Sequence, residues 1–229
     1  MPSSTVENYL KAIFALHPRQ AEQLVQMGDL ASEVGVTPGT ATAMIKTLAG
    51  SGLVDYEPRG GVRLTEEGRI LALHVLRRHR LIELFLVEIL GLDWSHVHAE
   101  AEELEHAISD KVLDRIDTIL GRPNFDPHGD PIPTAGGTIT TLELQQLANC
   151  HAGESVRIRR VSDQNPEFLQ FAYRCGLTPG SDLAVVEADA SAETMTVRSS
   201  GGHEVTIGMG AAGKVLVEEL KTASSPPRG

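Results

Sequence analysis

Residues 25–50 read VQMGDLASEVGVTPGTATAMIKTLAG, and this stretch decides the N-terminal fold. Met27, Leu30, Ala31 and Val34 recur at helical spacing as one apolar stripe, and Gly35 closes it as a C-terminal stop. Thr37 then offers an N-cap hydroxyl, and Pro38 takes the first helical position, where no amide donor is needed. Ala41, Met44, Ile45 and Leu48 make the second stripe. Two short helices joined by a tight glycine-containing turn predict a helix-turn-helix. Downstream, residues 52–65 read as strand, Pro/Gly turn and strand, which makes the unit a winged helix. Upstream, Val6, Leu10, Ile13 and Phe14, with Tyr9 beside them, predict a first helix over residues 6–16.

In such a unit the N-terminal part of the second helix enters the major groove of DNA. The exposed candidates are Thr37, Gly39, Thr40, Thr42 and Lys46, with Arg59 and Arg63 on the wing. Thr37 reads equally well as a simple N-cap. These side chains are small and weakly charged, so positioning on phosphates by hydroxyls and backbone N–H groups is expected over arginine-to-guanine readout. The formal charge of −11 opposes DNA binding if taken as a whole, because phosphate neutralisation needs Lys and Arg. Its distribution matters more. Residues 36–50 carry Lys46 and no acid, whereas Glu100, Glu102, Glu103, Glu105 and Asp110 crowd residues 98–110. That concentration of acid asks for a countercharge, which a metal ion would supply.

The region after Thr65 reads as helix, with Glu66 and Glu67 in the first turn of a long element running through Arg80. Leu84, Phe85, Val87, Ile89 and Leu90 form a second apolar element ending at Gly91, and a third helix is expected from Ser95 to Leu120. These segments hold too many apolar residues for one exposed face, so a bundle or dimer core is expected. Residues 122–141 contain Pro123, Pro127, Pro131 and Pro133 and three glycines, and read as a linker. Beyond it come short alternating runs at 155–161, 183–187, 195–198, 204–207 and 214–218, with one helix near 166–175, which suits a small β-barrel. The expected organisation is therefore a DNA-binding domain over 1–73, a helical domain over 74–141, a β domain over 142–222 and a disordered tail over 223–229. The N-terminal stretch lacks a charged and apolar leader, and the apolar run 81–92 is broken by Glu83 and Glu88, so neither export nor membrane spanning is expected. Cys150 and Cys175 stand far apart without a C-x-x-C partner, which fits a reducing, cytoplasmic setting.

His79 and Glu83 are four apart on a predicted helix and share a face. His98, Glu102, Glu105 and His106 fall at i, i+4, i+7 and i+8 on another. Any one of them alone reads as a solvated helix residue. Six donors in matched stripes point instead to a first-row divalent ion, and the lack of thiolates argues against a Cys-rich structural zinc site. His17, His74, His96, His128, His151 and His203 have no such company and read as surface or packing residues. Two other readings remain. Glu103 and His106 fit the Glu-x-x-His motif of di-metal carboxylate enzymes, although such sites need two copies and one is present. The chain also suits a winged-helix regulator whose His/Glu stripes are structural and whose effector is something else.

These residues resemble the diphtheria toxin repressor family of metal-dependent regulators, including its manganese-sensing branch. The resemblance is carried by Tyr9-Leu10 with Ile13-Phe14, the helix-turn-helix, the Arg78–Glu83 run, the His98–Asp110 run and the Asp126–Pro133 run, Asp-Pro-His-Gly-Asp-Pro-Ile-Pro. It implies a mainly α fold with a small β part: an N-terminal winged helix-turn-helix, a helical dimerisation domain and a C-terminal SH3-like β-barrel. It implies a homodimer that represses genes of metal homeostasis by binding a double-stranded DNA operator. It also implies two metal sites per subunit, an ancillary one from His79, Glu83 and His98 and a primary one from Glu102, Glu105 and His106. Glu102 stands where the iron-sensing branch has cysteine and the manganese-sensing branch has glutamate, which favours Mn(II), with Fe(II) as the second choice. In the first helix this chain departs from the family, with Asn8 and Lys11 at positions that normally ligate. Asn8 can lend its oxygen and Glu7 lies next to it, whereas a charged Lys11 cannot ligate. Glu167 and Gln170 have the spacing of the pair that the SH3-like domain lends to the ancillary site in the iron branch.

Overall fold

The computed structural model describes residues 3–16 and 24–220. His17 and the tail 223–229 lie outside the described residues. Helix α1 (Ser4–Leu16) is followed by α2 (Met27–Glu33) and α3 (Pro38–Gly50), then by the antiparallel hairpin β1 (Val54–Glu57) and β2 (Gly61–Leu64). The winged helix forms where the sequence places it. Thr37 caps α3 by accepting from the Thr40 amide, with Pro38 in the first turn. Leu10, Ile13, Leu30, Ile45, Leu48 and Val62 meet in one core cluster with Ala72. Full burial of each large apolar side chain contributes about 1.5–3 kcal/mol relative to exposure. Helix α1 thus belongs to the core of the DNA-binding unit while also lying along α4 (Glu66–Glu88).

Helix α4 is a single element, so the break expected after Arg80 does not occur. Its apolar residues serve two cores: Leu81 packs with Leu113, Ile116 and Ile132, and Ile82 and Leu86 pack with Val97 and Ala101. The single helix expected over 95–120 is instead two, α5 (Val97–Leu104) and α6 (Asp110–Ile119). The cause is local. Ser109 caps α6 by accepting from the Val112 amide, with Asp110 in the first turn, so a new helix starts there and residues 105–109 turn. Ile89, Leu90, Leu104, Val112 and Ile119 remain exposed at the ends of α4, α5 and α6. Large exposed apolar side chains of this kind suit a subunit interface.

The C-terminal unit is one antiparallel sheet of order β3-β8-β4-β5-β6-β7, built from β3 (Gln145–Gln146), β4 (Ser155–Val161), β5 (Asp182–Asp189), β6 (Thr194–Ser199), β7 (Glu204–Gly208) and β8 (Val215–Glu219). Helices α7 (Pro166–Arg174) and α8 (Met209–Ala212) complete it. Alternation sends Val156, Ile158, Val185, Met195, Val197, Val215 and Val217 into one core. Bulges between Ile158 and Arg160 and between Val185 and Glu187 shift the register and bend the sheet over that core.

The Pro/Gly-rich stretch 122–141 is irregular, as its composition predicts, yet much of it is packed rather than free. The Asp126 carboxylate accepts from the amides of His128 and Asp130, folding the segment into a tight turn. Gly129, at φ +86°, sits so close to β4 that an added Cβ would lie 1.9 Å from the Arg159 carbonyl oxygen. Val161 donates its amide to the His128 carbonyl, and Arg160 pairs with Asp130 at 2.8 Å. Arg80 of α4 reaches the Pro131 carbonyl and Asp130 from the other side. The segment therefore joins the helical unit to the sheet through buried charge.

Candidate metal centre

Helix periodicity brings His79 and Glu83 to one face of α4, and His98 and Glu102 to the facing side of α5. His79 Nε2 lies 2.9 Å from Glu83 Oε1 and 3.0 Å from His98 Nδ1, and His98 Nδ1 lies 3.1 Å from the same Glu83 oxygen. His79 and Glu83 are buried, whereas the side chain of His98 is half open. On its other nitrogen, His79 Nδ1 donates to Glu105 Oε2 at 2.6 Å. That bond sets the ring so that Nε2 faces Glu83 and His98, as an orienting carboxylate does behind a metal-bound imidazole. Burial pulls the His79 imidazole towards neutrality, but its bonds to Glu105 and Glu83 outweigh this and lift it to about 9. Burial likewise disfavours the Glu83 carboxylate, and the histidine contacts overcome it and hold that group below the usual carboxylate range.

The second group assembles from the α5–α6 turn and α1. Because α5 ends at Leu104, Glu105 turns fully inward and His106 turns towards α1. His106 Nδ1 lies 2.7 Å from Glu7 Oε2, and its Nε2 lies 2.8 Å from Asn8 Oδ1 and 3.3 Å from Glu105 Oε1. The single helical stripe expected through His98, Glu102, Glu105 and His106 is therefore broken at His106, which is carried to α1, while Glu102 and Glu105 still converge beside His79. Between the two carboxylates sits a cation from the chain itself: Lys11 Nζ is 2.6 Å from Glu102 Oε1 and 2.7 Å from Glu105 Oε1.

The two groups differ in how well they fit a divalent ion. In the first, one nitrogen each of His79 and His98 and Oε1 of Glu83 face one another with no lysine or arginine of the described residues between them, and the second oxygen of Glu83, Oε2, is buried without a hydrogen-bond partner. Such a set fits an ion with nitrogen and oxygen ligands. The second also offers suitable donors, but an ammonium already lies among them.

Several residues near the first group escaped the sequence reading. His128, read as an ordinary histidine, is fully buried with its Nε2 on the Trp94 carbonyl at 2.9 Å and its Nδ1 unpartnered, 3.9 Å from Glu83 Oε2. Asp126 completes a buried trio with them, and burial together with Asp130 and Glu83 pushes its carboxyl well up. From the sheet unit, Ser162 and Gln164 line the same cleft of about 620 Å³ as His79, Glu83 and His98, and Gln164 Oε1 is buried without a partner. The expected pair Glu167 and Gln170 is not brought there. Both are exposed on α7, and Gln170 borders a separate cleft beside Asp93 and Trp94. The matching spacing was right for one helix face, but that face is turned away.

On the DNA-binding unit, Thr37, Gly39, Thr40 and Lys46 are exposed along α3, while Thr42 is half-buried and donates its hydroxyl to the Pro38 carbonyl. Thr37 and Thr40 are engaged in the cap. Arg59 stands exposed at the tip of the wing, and Arg63 pairs with Asp55 across the hairpin at 3.1 Å.

A winged helix whose first helix is tied into a cluster of imidazoles and carboxylates defines the class as a metal-dependent DNA-binding regulator. Comparison with known proteins gives the family. Residues 1–62 match the model described as iron dependent repressor, N-terminal DNA binding domain, and residues 65–134 match iron dependent repressor, metal binding and dimerisation domain. Residues 145–219 match the FeoA domain. The iron-dependent repressor IdeR of Mycobacterium tuberculosis is 36% identical over 94% of this chain and 97% of its own. The diphtheria toxin repressor of Corynebacterium efficiens is 34% identical over 72% of this chain and 73% of that protein. A solved manganese-dependent transcriptional repressor, in complex with manganese, shares 40% identity and a TM-score of 0.85, covering 94% of this chain and 100% of its own. The chain belongs to the iron-dependent repressor family, of which the diphtheria toxin repressor is a member. It is a metal-dependent transcriptional repressor and not an enzyme. The isolated Glu-x-x-His motif is explained by the fold, since Glu103 is exposed while His106 is bound to α1.

Proposed function

We propose that the protein is a homodimeric, cytoplasmic repressor of metal homeostasis genes that binds its DNA operator when loaded with Mn(II), and second with Fe(II). His79, Glu83 and His98 would hold an ion in the first group, with Glu105 orienting His79. Glu102, Glu105 and His106, with Glu7 and Asn8, would form the second site of the subunit. A bound divalent ion supplies the positive charge on which these carboxylates and imidazoles converge. The manganese preference is supported by the all nitrogen and oxygen donor set and by the solved relative in complex with manganese. We take residues 1–73, 74–141 and 142–222 as the DNA-binding, dimerisation and SH3-like units. Thr37, Gly39, Thr40, Thr42 and Lys46 on α3, with Arg59 and Arg63 on the wing, are the candidate DNA contacts.

One observation carries this reading: α1 belongs to both halves of the device. Leu10 and Ile13 are built into the winged-helix core, while Glu7, Asn8 and Lys11 on the same helix reach His106, Glu102 and Glu105. Whatever occupies the donor cluster therefore acts directly on the helix that carries α2 and α3. In a two-fold dimer, the two recognition helices must stand about one DNA turn apart, about 34–36 Å, to enter successive major grooves. The apolar ends of α4, α5 and α6 support that pairing of subunits. No helix of the described residues is long and apolar enough to cross a membrane, and both cysteines are free. Linkage requires DNA and metal to tighten each other by the same factor, typically about 5- to 150-fold. Fluorescence anisotropy on a duplex selected from a random library with Mn(II) present tests this. Equal affinity in Mn(II) and in chelator overturns it.

A further inference from the structure

We propose that Lys11 is an internal competitor for the second donor group: its ammonium occupies the cation position between Glu102 and Glu105, and a divalent ion binds there only by displacing it. This rests on the metal-dependent reading above and names how one of its sites is regulated.

The geometry is that of a filled site. Lys11 Nζ contacts one oxygen of each carboxylate at 2.6 and 2.7 Å, and its side chain is only 16% exposed. The Glu105 carboxylate is fully buried, and besides Lys11 its neighbours are His79 on one oxygen and His106 beside the other. Asn8, one turn earlier on α1, brings a neutral amide oxygen to His106 and no charge. On the inward face of α1 at this group, a neutral amide and a cation thus stand at positions 8 and 11. The remaining carboxylate of α1, Glu7, is shared between His106 and Arg78. An incoming ion would meet an ammonium on the two oxygens it needs, and dication and ammonium repel one another at any separation that lets both touch the pair.

The ammonium sits on a flexible four-carbon stem, so it can withdraw when displaced, whereas a rigid fork such as Arg holds its place less adaptably. Lys11 also borders the cleft shared with Ala12, Ala15 and Arg80, which offers room for the withdrawn side chain. Occupancy of this kind lowers apparent affinity in proportion to the free fraction: a group left free about 1% of the time binds about 100-fold more weakly than its bare donors would. Among the described residues, no lysine ammonium lies between the donors of the first group. The two groups should therefore fill in order, the His79–Glu83–His98 group at low metal and the Lys11 group only at higher metal. While metal is scarce, Lys11 keeps α1 tied to the α5–α6 turn.

The test is a titration of the full-length protein with Mn(II), following free Mn(II) by its paramagnetic resonance signal. The wild type is expected to bind in two steps separated by at least about tenfold. In Lys11→Leu, which removes the charge and adds no donor, the second step should tighten by about 10- to 100-fold with the first unmoved. Lys11→Arg, which keeps the charge, should retain a weak second step. A second measurement needs no variant: chemical acylation of amines read by mass spectrometry should find Lys11 protected in chelator and modified at saturating Mn(II). A second step unaltered in Lys11→Leu, two ions bound in one step by the wild type, or Lys11 labelled equally in both states overturns the proposal. Loss of Mn(II) binding at both steps would instead overturn the metal-dependent reading itself.

Discussion

The two donor groups lie side by side, share Glu105 at their border and use the same residue types, yet they are built differently. The first is made of α4 and α5 within one folded unit, its donors face one another directly, and the Glu83 oxygen turned away from His79 and His98, Oε2, is unpartnered. The second spans the junction to α1 and is closed by an ammonium. A group within one unit can bind an ion and change little else. A group that spans a junction couples its occupant to the position of the attached helix, and here that helix carries the DNA-reading part. The difference separates where metal is held from where its presence is felt.

The sharpest way to break this comparison is to remove the residue on which the first group depends. Glu83→Ala deletes the oxygen shared by His79 and His98, and Mn(II) affinity at the tighter step is expected to fall by more than about 100-fold in calorimetric titration. A smaller contrast tests the border between the groups. Glu105→Ala takes away the bond that orients His79 and should weaken that tighter step by about 10- to 100-fold, whereas Glu102→Ala should leave it within about threefold. Equal effects of the two would merge the groups into one.

A third expectation concerns the metal-free protein. His79 is lifted from 6.5 to about 9 when folded, so its imidazolium adds stability that is fully present below about pH 6.5 and is lost as pH rises through 9. In chelator, the urea midpoint should fall between pH 6.5 and 9.5 by the equivalent of about 1–3 kcal/mol, and the fall should vanish in His79→Gln. On the DNA side, Lys46→Ala should weaken binding evenly across sequences and lower the salt dependence by about one unit of slope, which a salt series by anisotropy would read. The smallest effect is expected at Glu167 and Gln170. Changing both to Ala should shift Mn(II) affinity by less than about twofold, because α7 holds them away from both groups.

Much of this was readable from local signals. Gly35, Thr37 and Pro38 punctuate α2 and α3 through short-range sterics and capping, and the apolar stripes they bracket become the winged-helix core. The strands after residue 155 followed from alternation, and the bulges that bend them did not. The break between α5 and α6 was written in Ser109 and Asp110, but it was obscured by an apolar and acidic pattern that continued at helical spacing. The donor types at His79, Glu83 and His98 could be chosen by i, i+4 geometry, because both ends of each pair ride on one helix.

The sequence by itself determined the DNA-binding unit, the helical and sheet units and the list of residues able to ligate, since capping, periodicity and side-chain chemistry act over a few residues. Only the tertiary structure decided how distant charges meet. It brought His106 to Glu7 and Asn8 of α1, buried His128 against Glu83, faced Gln164 rather than Gln170 towards the metal cleft, and set the ammonium of Lys11 between two glutamates almost a hundred residues along the chain. A residue's type shows whether it can ligate, pair or donate. Which of these it does depends on the charges that packing brings within about 3 Å, and no local rule of spacing encodes those.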